Sequence, residues 1–119
     1  MSLVNSKDGF LWAATYEGTL VQIDEATLHG WQLSLPHVSH VFVDSSDRVW
    51  ASTDQGLFLS ERRHGRAEFH LADGAASGSR KIEDMVEDAK GQIWAISSEY
   101  LFRFDAPNWT RLDLSLIHI

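Results

Sequence analysis

Apolar residues along this chain fall into short runs that are rich in aromatic and β-branched side chains, and Asp, Gly, Ser or Pro residues separate the runs. Runs of this kind predict β-strands joined by tight turns. The predicted strands cover residues 10–15, 19–24, 31–35, 38–44, 48–53, 56–61, 66–71, 81–88, 92–97, 100–105 and 109–113. The pattern therefore predicts an all-β protein.

A tryptophan recurs within this strand pattern and marks three copies of one repeat. Trp12, Trp50 and Trp94 are 38 and 44 residues apart, within the range of one four-stranded β-propeller blade. Turn residues keep fixed distances from these anchors: Ser6, Asp44 and Asp88 stand six before them, Gly9, Asp47 and Gly91 three before, and Gly18, Gly56 and Tyr100 six after. A last aromatic follows in each copy, at Trp31, Phe69 and Trp109. The repeat predicts three consecutive four-stranded antiparallel blades.

The recurring residues have structural interpretations. Gly18 and Gly56 are expected to supply a positive φ in the hairpin between the second and third strands, whereas Tyr100 requires a different turn in copy three. The tryptophans are expected to pack between neighbouring blades rather than to stack on sugars. Aspartates before them, Asp44, Asp47 and Asp88, are expected to accept hydrogen bonds from turn N–H groups rather than to bind a metal.

The segment 80–91 is ambiguous, because its apolar residues also recur at helical spacing and Gly91 is a candidate helix C-cap. Those apolar residues are Ile82, Met85, Val86 and Ala89. Alignment with the preceding repeat places the first three on apolar residues of 38–42 and favours a strand. We predict that 81–88 is extended and pairs with 92–97 through a turn at 89–91.

These copies divide the chain into blade 1 over residues 1–35, with an incomplete inner strand, blade 2 over 36–72 and blade 3 over 73–113. Residues 73–80, rich in Gly, Ala and Ser, are predicted to form a loop. Propellers typically close with four to eight blades. Three blades therefore predict an open arc rather than a closed ring, with blade 2 the best buried and the isolated chain prone to associate.

The last six residues, LSLIHI, resemble the in-frame translation of a sequencing-library adapter. On that resemblance, residues 114–119 are expected to be a non-native tail. Met1 then need not be the native start.

Composition narrows the classes of function. The 119 residues carry a formal net charge of −7, from 10 basic and 17 acidic side chains, so binding to nucleic-acid phosphates is not expected. No cysteine is present, which excludes a disulfide framework and leaves the compartment open. No apolar run approaches the ~20 residues that cross a bilayer, so this segment is not expected to insert directly into a membrane.

The repeat resembles the two-component regulator propeller repeat, in which an apolar strand, an acid, a turn with Gly, an apolar residue, Trp, Thr and Gly-Leu follow one another. VDSSDRVWASTDQGLF of copy two and VEDAKGQIWAIS of copy three match it most closely, and the resemblance covers nearly all of residues 3–113. This sequence departs from the pattern at Ser6, Asp47, the inserted Thr19 and Tyr100.

Proteins of that family are bacterial membrane-anchored sensors with periplasmic propellers and a histidine kinase or diguanylate cyclase output domain. The resemblance implies a piece of a periplasmic input domain that binds a small molecule or glycan and packs on the remaining propeller blades of a parent chain. A protein-interaction propeller is the alternative, and a propeller hydrolase or lyase is a third class. Flanking sequence would discriminate the three.

Candidate chemistry is sparse. His37 and His40 lie three apart on a predicted strand, so their side chains point to opposite faces and cannot share one metal ion. No spacing of Ser, His and acid matches a catalytic triad, and the glycine-rich segment 74–81 lacks the Gly-Lys-Ser/Thr of a phosphate loop. We predict no catalytic residue, no metal site and no cofactor.

Loops that join the second and third strands share one face of a propeller with the loops that lead into the next blade. A ligand would meet aromatic, acidic and basic groups on that face. Its candidate binding residues are Tyr16, Glu17, His37, Asp54, Gln55, Arg80 and Glu99.

Overall fold

The computed structural model describes residues 1–63, 66–72, 82–105 and 108–116. They form twelve strands: β1 Ser2–Asn5, β2 Phe10–Ala14, β3 Leu20–Asp24, β4 Gly30–Leu33, β5 Val38–Val43, β6 Val49–Thr53, β7 Gly56–Arg63, β8 Arg66–Leu71, β9 Asp84–Glu87, β10 Ile93–Ile96, β11 Tyr100–Asp105 and β12 Asn108–Asp113. A short 3-10 helix, Leu114–Leu116, follows the last strand. The predicted loop at 73–80 lies outside the described residues.

Each group of four consecutive strands forms one antiparallel sheet in chain order. The sheets β1–β4, β5–β8 and β9–β12 are called blades 1, 2 and 3 below. The predicted all-β class and the three four-stranded blades in an open arrangement are confirmed. No helix in the described part of the chain is long and apolar enough to span a membrane.

The ambiguous segment forms a strand, as predicted. β9 pairs with β10 in antiparallel register, with Trp94 opposite Val86 and Ala95 opposite Met85. The strand is shorter than predicted and begins at Asp84, although the N–H of Glu83 still bonds to the carbonyl of Ile96 at 2.7 Å. Lys81 lies outside the described residues.

Residues opposite each other in an antiparallel pair share one face of the sheet, so the register defines two faces for each blade. The face that carries the anchor tryptophan, here called the forward face, points toward the next blade. The other, called the rear face, points toward the preceding blade. Forward-face residues of blade 2 include Phe42, Trp50 and Leu59, and its rear-face residues include Val41, Ala51 and Phe58.

The core consists of two layers, and each is a forward face packed on a rear face. In the first, Trp12 and Leu20 of blade 1 pack with Val41 and Ala51 of blade 2. In the second, Trp50 and Leu57 of blade 2 pack with blade 3, whose buried residues there are Met85, Ile93, Ala95 and Phe102. Blade 2 contributes to both layers, so it has a neighbour on each side.

Edge-on aromatic contacts continue each layer to the outer strands. The rings of Trp12 and Phe69 lie 5.9 Å apart, and Trp50 lies 5.4 Å from Phe104 and 6.0 Å from Trp109. The predicted packing of tryptophans between blades is therefore confirmed for Trp12 and Trp50, which are fully buried.

For Trp94 the prediction of a buried core residue is wrong, because this side chain is only half-buried. Its pairing partners match those of the other anchors, but no described residue forms a further sheet on the forward face of blade 3. Arg103 instead covers part of the ring, with its guanidinium carbon 5.7 Å from the ring centroid.

The alignment of Trp31 with Phe69 is also wrong. Trp31 lies opposite Gln22, which lies opposite Trp12, so it occupies the forward face of blade 1. Phe69 lies opposite Ser60, on the rear face of blade 2. Thr19 adds one residue to copy one between the anchor and this aromatic. An odd insertion exchanges the two faces of every later strand position.

Candidate functional site

The hairpins between the second and third strands of each blade carry most of the predicted binding residues. Gly18 and Gly56 have φ of 87° and 122°, which confirms the predicted glycine role in the first two hairpins. Tyr16 and Glu17 are exposed beside Gly18, and Asp54 and Gln55 are exposed beside Gly56. Arg80 lies outside the described residues.

The connection into blade 2 brings the first two of these hairpins together. The N–H of Val38 donates to the carbonyl of Gly18 at 2.8 Å, and the N–H of Asp54 donates to the carbonyl of His37 at 3.1 Å. A Cβ atom at Gly18 would collide with the His37 imidazole, so only glycine allows this close approach. The structure therefore groups the Tyr16 hairpin, His37 and the Asp54 hairpin on one surface, called the hairpin face below.

Glu99 belongs to the third hairpin and has different surroundings. Its carbonyl accepts from the N–H of Leu114 at 3.0 Å. Ser98, Glu99, Tyr100, Asp113, Leu114 and Ser115 line a cavity of about 330 Å³. There the hydroxyl and N–H of Ser115 lower the pKa of Asp113. Leu114 thus contacts blade 3, although we expected it to lie outside the fold; the non-native origin of 114–119 stays a prediction.

The turns between the first and second strands lie on the surface opposite the hairpin face, and they show what the acid six residues before Trp50 and Trp94 does. Asp44 Oδ1 accepts from the N–H groups of Ser46 and Arg48, both at 2.9 Å, as predicted. Its Oδ2 accepts from the indole N–H of Trp50 at 2.9 Å and from Arg48 Nε at 2.7 Å. One buried carboxylate therefore closes the turn and satisfies the buried indole N–H group.

Asp88 repeats this geometry in blade 3. Its Oδ1 accepts from the N–H groups of Lys90 and Gln92, and its Oδ2 accepts from the Trp94 indole at 2.9 Å. These donors hold the pKa of Asp88 below its ordinary value, with the indole N–H as the largest cause. Gly91, with φ of 80°, completes the turn; its counterpart Asp47 adopts φ of 64° despite its side chain.

Blade 1 satisfies its indole by a different route. Trp12 Nε1 donates to Ser6 Oγ at 3.0 Å, and Ser6 Oγ donates to a carboxylate oxygen of Asp8. Blade 1 therefore has its acid at Asp8, two residues after Ser6. The Ser6 hydroxyl lies between this carboxylate and the Trp12 indole.

Side-chain bonds between these turns connect the blades, a feature that the sequence reasoning missed. The N–H of Lys7 donates to Asp47 Oδ1 at 2.7 Å, and its Nζ donates to the carbonyl of Ser45 at 3.2 Å. Ser45 in turn donates its N–H and hydroxyl to Glu87 at 2.8 and 2.5 Å. Asn5, Ser6, Lys7, Val43, Asp44, Ser45, Asp47 and Glu87 line a cavity of about 410 Å³ there. The sequence offered little signal for these bonds, because the polar residues that make them are not repeated at the same offset from all three tryptophans.

His37 and His40 do not share one regular strand as predicted, because His37 precedes β5 and the register shifts between Val38 and His40. His37 lies on the connection to blade 2, while His40 on β5 points to blade 3, with Nε2 3.9 Å from Asp84 Oδ1. Among the described residues, no three His, Asp or Glu side chains are grouped so that they could hold a metal ion. The absence of a metal site from the whole chain stays a prediction.

Comparison with solved structures shows that other proteins share this architecture. The extracellular domain of the protein designated hybrid two component system BT3049 from B. thetaiotaomicron matches 96% of this chain with a TM-score of 0.75 at 15% sequence identity. That of BT4673 from the same organism matches 98% with a TM-score of 0.73 at 16% identity. This chain has a β-propeller fold. It spans 17% and 18% of those two chains.

Another match shows that the fold also supports catalysis elsewhere. A catalytically inactive virginiamycin B lyase from Staphylococcus aureus, with quinupristin, matches 95% of this chain with a TM-score of 0.68 at 15% identity, and 40% of the lyase is covered. No family model and no curated protein matches the sequence. The extracellular sensor domains agree with the family resemblance derived from the repeat, and at these identities the likeness establishes the fold alone.

Proposed function

We propose that this chain is part of the extracytoplasmic, periplasmic propeller of a bacterial signal-transduction receptor, with a histidine kinase or diguanylate cyclase as its output, and that it takes part in sensing a small molecule or glycan. The observation that carries the proposal is the likeness, over nearly the whole chain, to extracellular domains of two hybrid two-component systems. The recurring acid and tryptophan pair is supporting evidence from the sequence. In such a receptor, further blades would pack on the two ends of the arc.

The hairpin face is the proposed binding surface. It presents an aromatic ring, Tyr16, which is 86% exposed, together with the amide of Gln55 and the imidazole of His37. An exposed aromatic ring beside hydrogen-bonding groups suits a sugar, which has apolar ring faces and polar edges. Glu17 and Asp54 lie on the same face, and the chain has a net charge of −7. Neutral or cationic ligands are therefore favoured over sulfated or phosphorylated ones.

The propeller lyase in the comparison does not change this proposal. Its likeness to this chain is one of fold, and the described residues of the hairpin face do not present a nucleophile hydrogen-bonded to a general base. We propose that the segment binds a ligand and does not transform it.

The experiment is a binding screen with variants on the hairpin face and on the opposite surface of the blades. Neutral hexasaccharides of glucose, xylose and mannose, and a sulfated disaccharide as the anionic probe, are titrated by calorimetry. We expect a neutral probe to bind, and Tyr16→Ala and Gln55→Ala to weaken it at least tenfold. Lys90→Ala removes an exposed side chain from the turn between β9 and β10, on the surface opposite the hairpin face. This variant should leave binding unchanged.

Absence of binding by every neutral probe, or equal loss in the Lys90→Ala control, would count against the proposal. A protein-interaction propeller would then be the better interpretation, because an exposed aromatic residue at a loop tip also suits a protein interface.

A further inference from the structure

The imidazole of His37 is held in place by packing, yet its ring nitrogens have no hydrogen-bond partner among the described residues. Its Nδ1, Cε1 and Cγ atoms are the heavy atoms nearest to a Cβ atom built on Gly18. That edge of the ring therefore lies against the Gly18 backbone. Nε2 belongs to the other edge, and His37 is an exposed residue. Nε2 is thus the ring nitrogen that a ligand can reach.

Backbone hydrogen bonds fix His37 between the first two hairpins. The N–H of the following residue, Val38, donates to the carbonyl of Gly18 at 2.8 Å, and the carbonyl of His37 accepts from the N–H of Asp54 at 3.1 Å. The contact with Gly18 then limits the rotation of the imidazole. A polar group that is already held in one orientation loses little conformational entropy when a ligand binds, so the site is preorganised.

The propeller repeat does not require this arrangement. In blade 2 the equivalent hairpin glycine is Gly56, and its carbonyl accepts from the Thr53 hydroxyl at 2.7 Å. The N–H of Ala72, beyond the last strand of blade 2, donates to the carbonyl of Leu57 at 2.7 Å. The hydrogen bonds at Gly18 are therefore a feature of the junction between blades 1 and 2, and packing alone needs no outward-facing nitrogen there.

An exposed aromatic ring lies close to this imidazole. Tyr16 is two residues before Gly18, in the turn that the N–H of Gly18 closes by donating to the carbonyl of Thr15 at 3.0 Å. Two residues of chain span at most about 7 Å, and Tyr16 is 86% exposed. One ligand can therefore lie on the Tyr16 ring and reach Nε2 of His37.

The charges around the imidazole indicate the chemical class of this ligand. Glu17 and Asp54 are exposed, one in each hairpin, and residues 15–19 and 53–56 include no Lys or Arg. Hydroxyl groups donate to carboxylates, and they donate to or accept from a neutral imidazole. A sulfate or phosphate group would instead meet two like charges, which is unfavourable. A neutral ligand rich in hydroxyl groups fits these neighbours.

We propose that His37 is the specificity-determining residue of the hairpin face. Its Nε2 atom hydrogen-bonds a hydroxyl group of a neutral saccharide that lies on the Tyr16 ring, and Gly18 is a positioning residue that holds the imidazole in place. This inference rests on the proposed function, because it names the group by which the hairpin face recognises its ligand.

Substitutions of His37 separate the hydrogen bond from packing. The full 119-residue chain is titrated by calorimetry with the neutral hexasaccharides of glucose, xylose and mannose. His37→Phe keeps a flat ring and removes the nitrogens, so it should weaken binding about tenfold. His37→Gln carries its amide as many bonds from the backbone as Nε2 and should stay within about threefold of the parent chain. His37→Asn carries its amide at the place of Nδ1 and should lose as much affinity as His37→Phe.

The role of Gly18 has a matched control in the same blade. Gly18→Ala strains the backbone at φ of 87° and also displaces the imidazole, whereas Gly9→Ala introduces a similar strain at φ of 94° with no atom within 4 Å of the added Cβ. Gly18→Ala should weaken binding as much as His37→Phe, and Gly9→Ala should leave it unchanged. In a His37→Ala background, Gly18→Ala should cause no further loss, because both changes act on the same imidazole.

The possible results are distinguishable. If a neutral probe binds and requires Tyr16, but His37→Phe leaves its affinity unchanged, this inference is wrong and the proposed function stands. Equal losses in the Phe, Asn and Gln variants of His37 would mean that the imidazole acts by packing alone, which also overturns the inference. If no neutral probe binds the parent chain, the proposed function and this inference both fail. If circular dichroism shows that Gly18→Ala does not fold, the three His37 variants decide the question.

Discussion

Trp50 and Trp94 occupy the same place in their blades but have different surroundings. Both indoles donate to an aspartate six residues earlier at 2.9 Å, and both lie on the middle of a forward face. Trp50 is fully buried against Phe104 and Trp109, whereas Trp94 is half-buried. A blade therefore sets the orientation of its tryptophan through its own turn, while the next blade determines whether that tryptophan is buried.

The largest expected difference follows from this comparison. Trp50→Ala should lower the free energy of unfolding by about 3–5 kcal/mol, because it removes a fully buried indole from a packed layer. Trp94→Ala should cost roughly 1–2 kcal/mol, because the ring is less completely buried and no described blade packs on its face. Both are measured by urea unfolding of the otherwise unchanged chain. Equal losses would contradict the assignment of faces.

The acid beneath the tryptophan should have the next largest effect. Asp44→Ala leaves the buried Trp50 indole N–H and the turn N–H groups without their acceptor, so it should cost about 2–3 kcal/mol. Asp88→Ala, in the half-exposed setting of blade 3, should cost less, because water can replace the carboxylate. Urea unfolding of the two variants checks the order, and a larger loss for Asp88→Ala would refute it.

Blade 1 provides a smaller effect of the same kind. Ser6→Ala removes a neutral acceptor from the Trp12 indole and should cost about 1–2 kcal/mol, less than Asp44→Ala. Ser34→Ala, at an exposed position after β4, is the control and should change stability by less than about 0.5 kcal/mol. A loss at Ser6 as large as that at Asp44 would mean that the hydroxyl is not the weaker acceptor.

The pH dependence of stability should reveal Asp88. Its pKa in the folded chain is lowered by the Trp94 indole and the turn N–H groups. Ionised Asp88 therefore stabilises the fold at pH values above the pKa of a free aspartate, about 3.9. This contribution is lost as the pH falls through the lowered pKa of the folded state. Between pH 5 and 2, Asp88→Asn should lose less stability than the parent chain; parallel profiles would contradict this.

The fold was predictable because the spacing of the repeat reflects the pairing register. Two side-chain pairs show this. Asp44 contacts the Trp50 indole because a tight turn folds β5 onto β6, and Asp88 contacts the Trp94 indole because a similar turn folds β9 onto β10. The same spacing decided the strand at 84–87 against the helical alternative. Local turn chemistry and strand alternation need only the sequence of one blade.

The features that the sequence did not predict depend on neighbouring blades and on whether an odd number of residues is inserted before a strand. The exposure of Trp94 depends on a sheet that the described chain does not contain. The face of Trp31 was mistaken because one inserted residue, Thr19, reverses the alternation on the strands that follow. The bonds from Lys7 to Asp47 and from Ser45 to Glu87 join different blades, so they could be found only after the blades were placed side by side. The binding roles on the hairpin face stay predictions.

Amide hydrogen exchange tests most directly the claim that neighbouring blades determine protection in this array. The measurement compares three equivalent second strands, β2, β6 and β10. The account predicts the slowest exchange in β6, whose blade is covered on both faces, and faster exchange in β2 and β10. Equal protection in all three strands, or slowest exchange in β10, would contradict it.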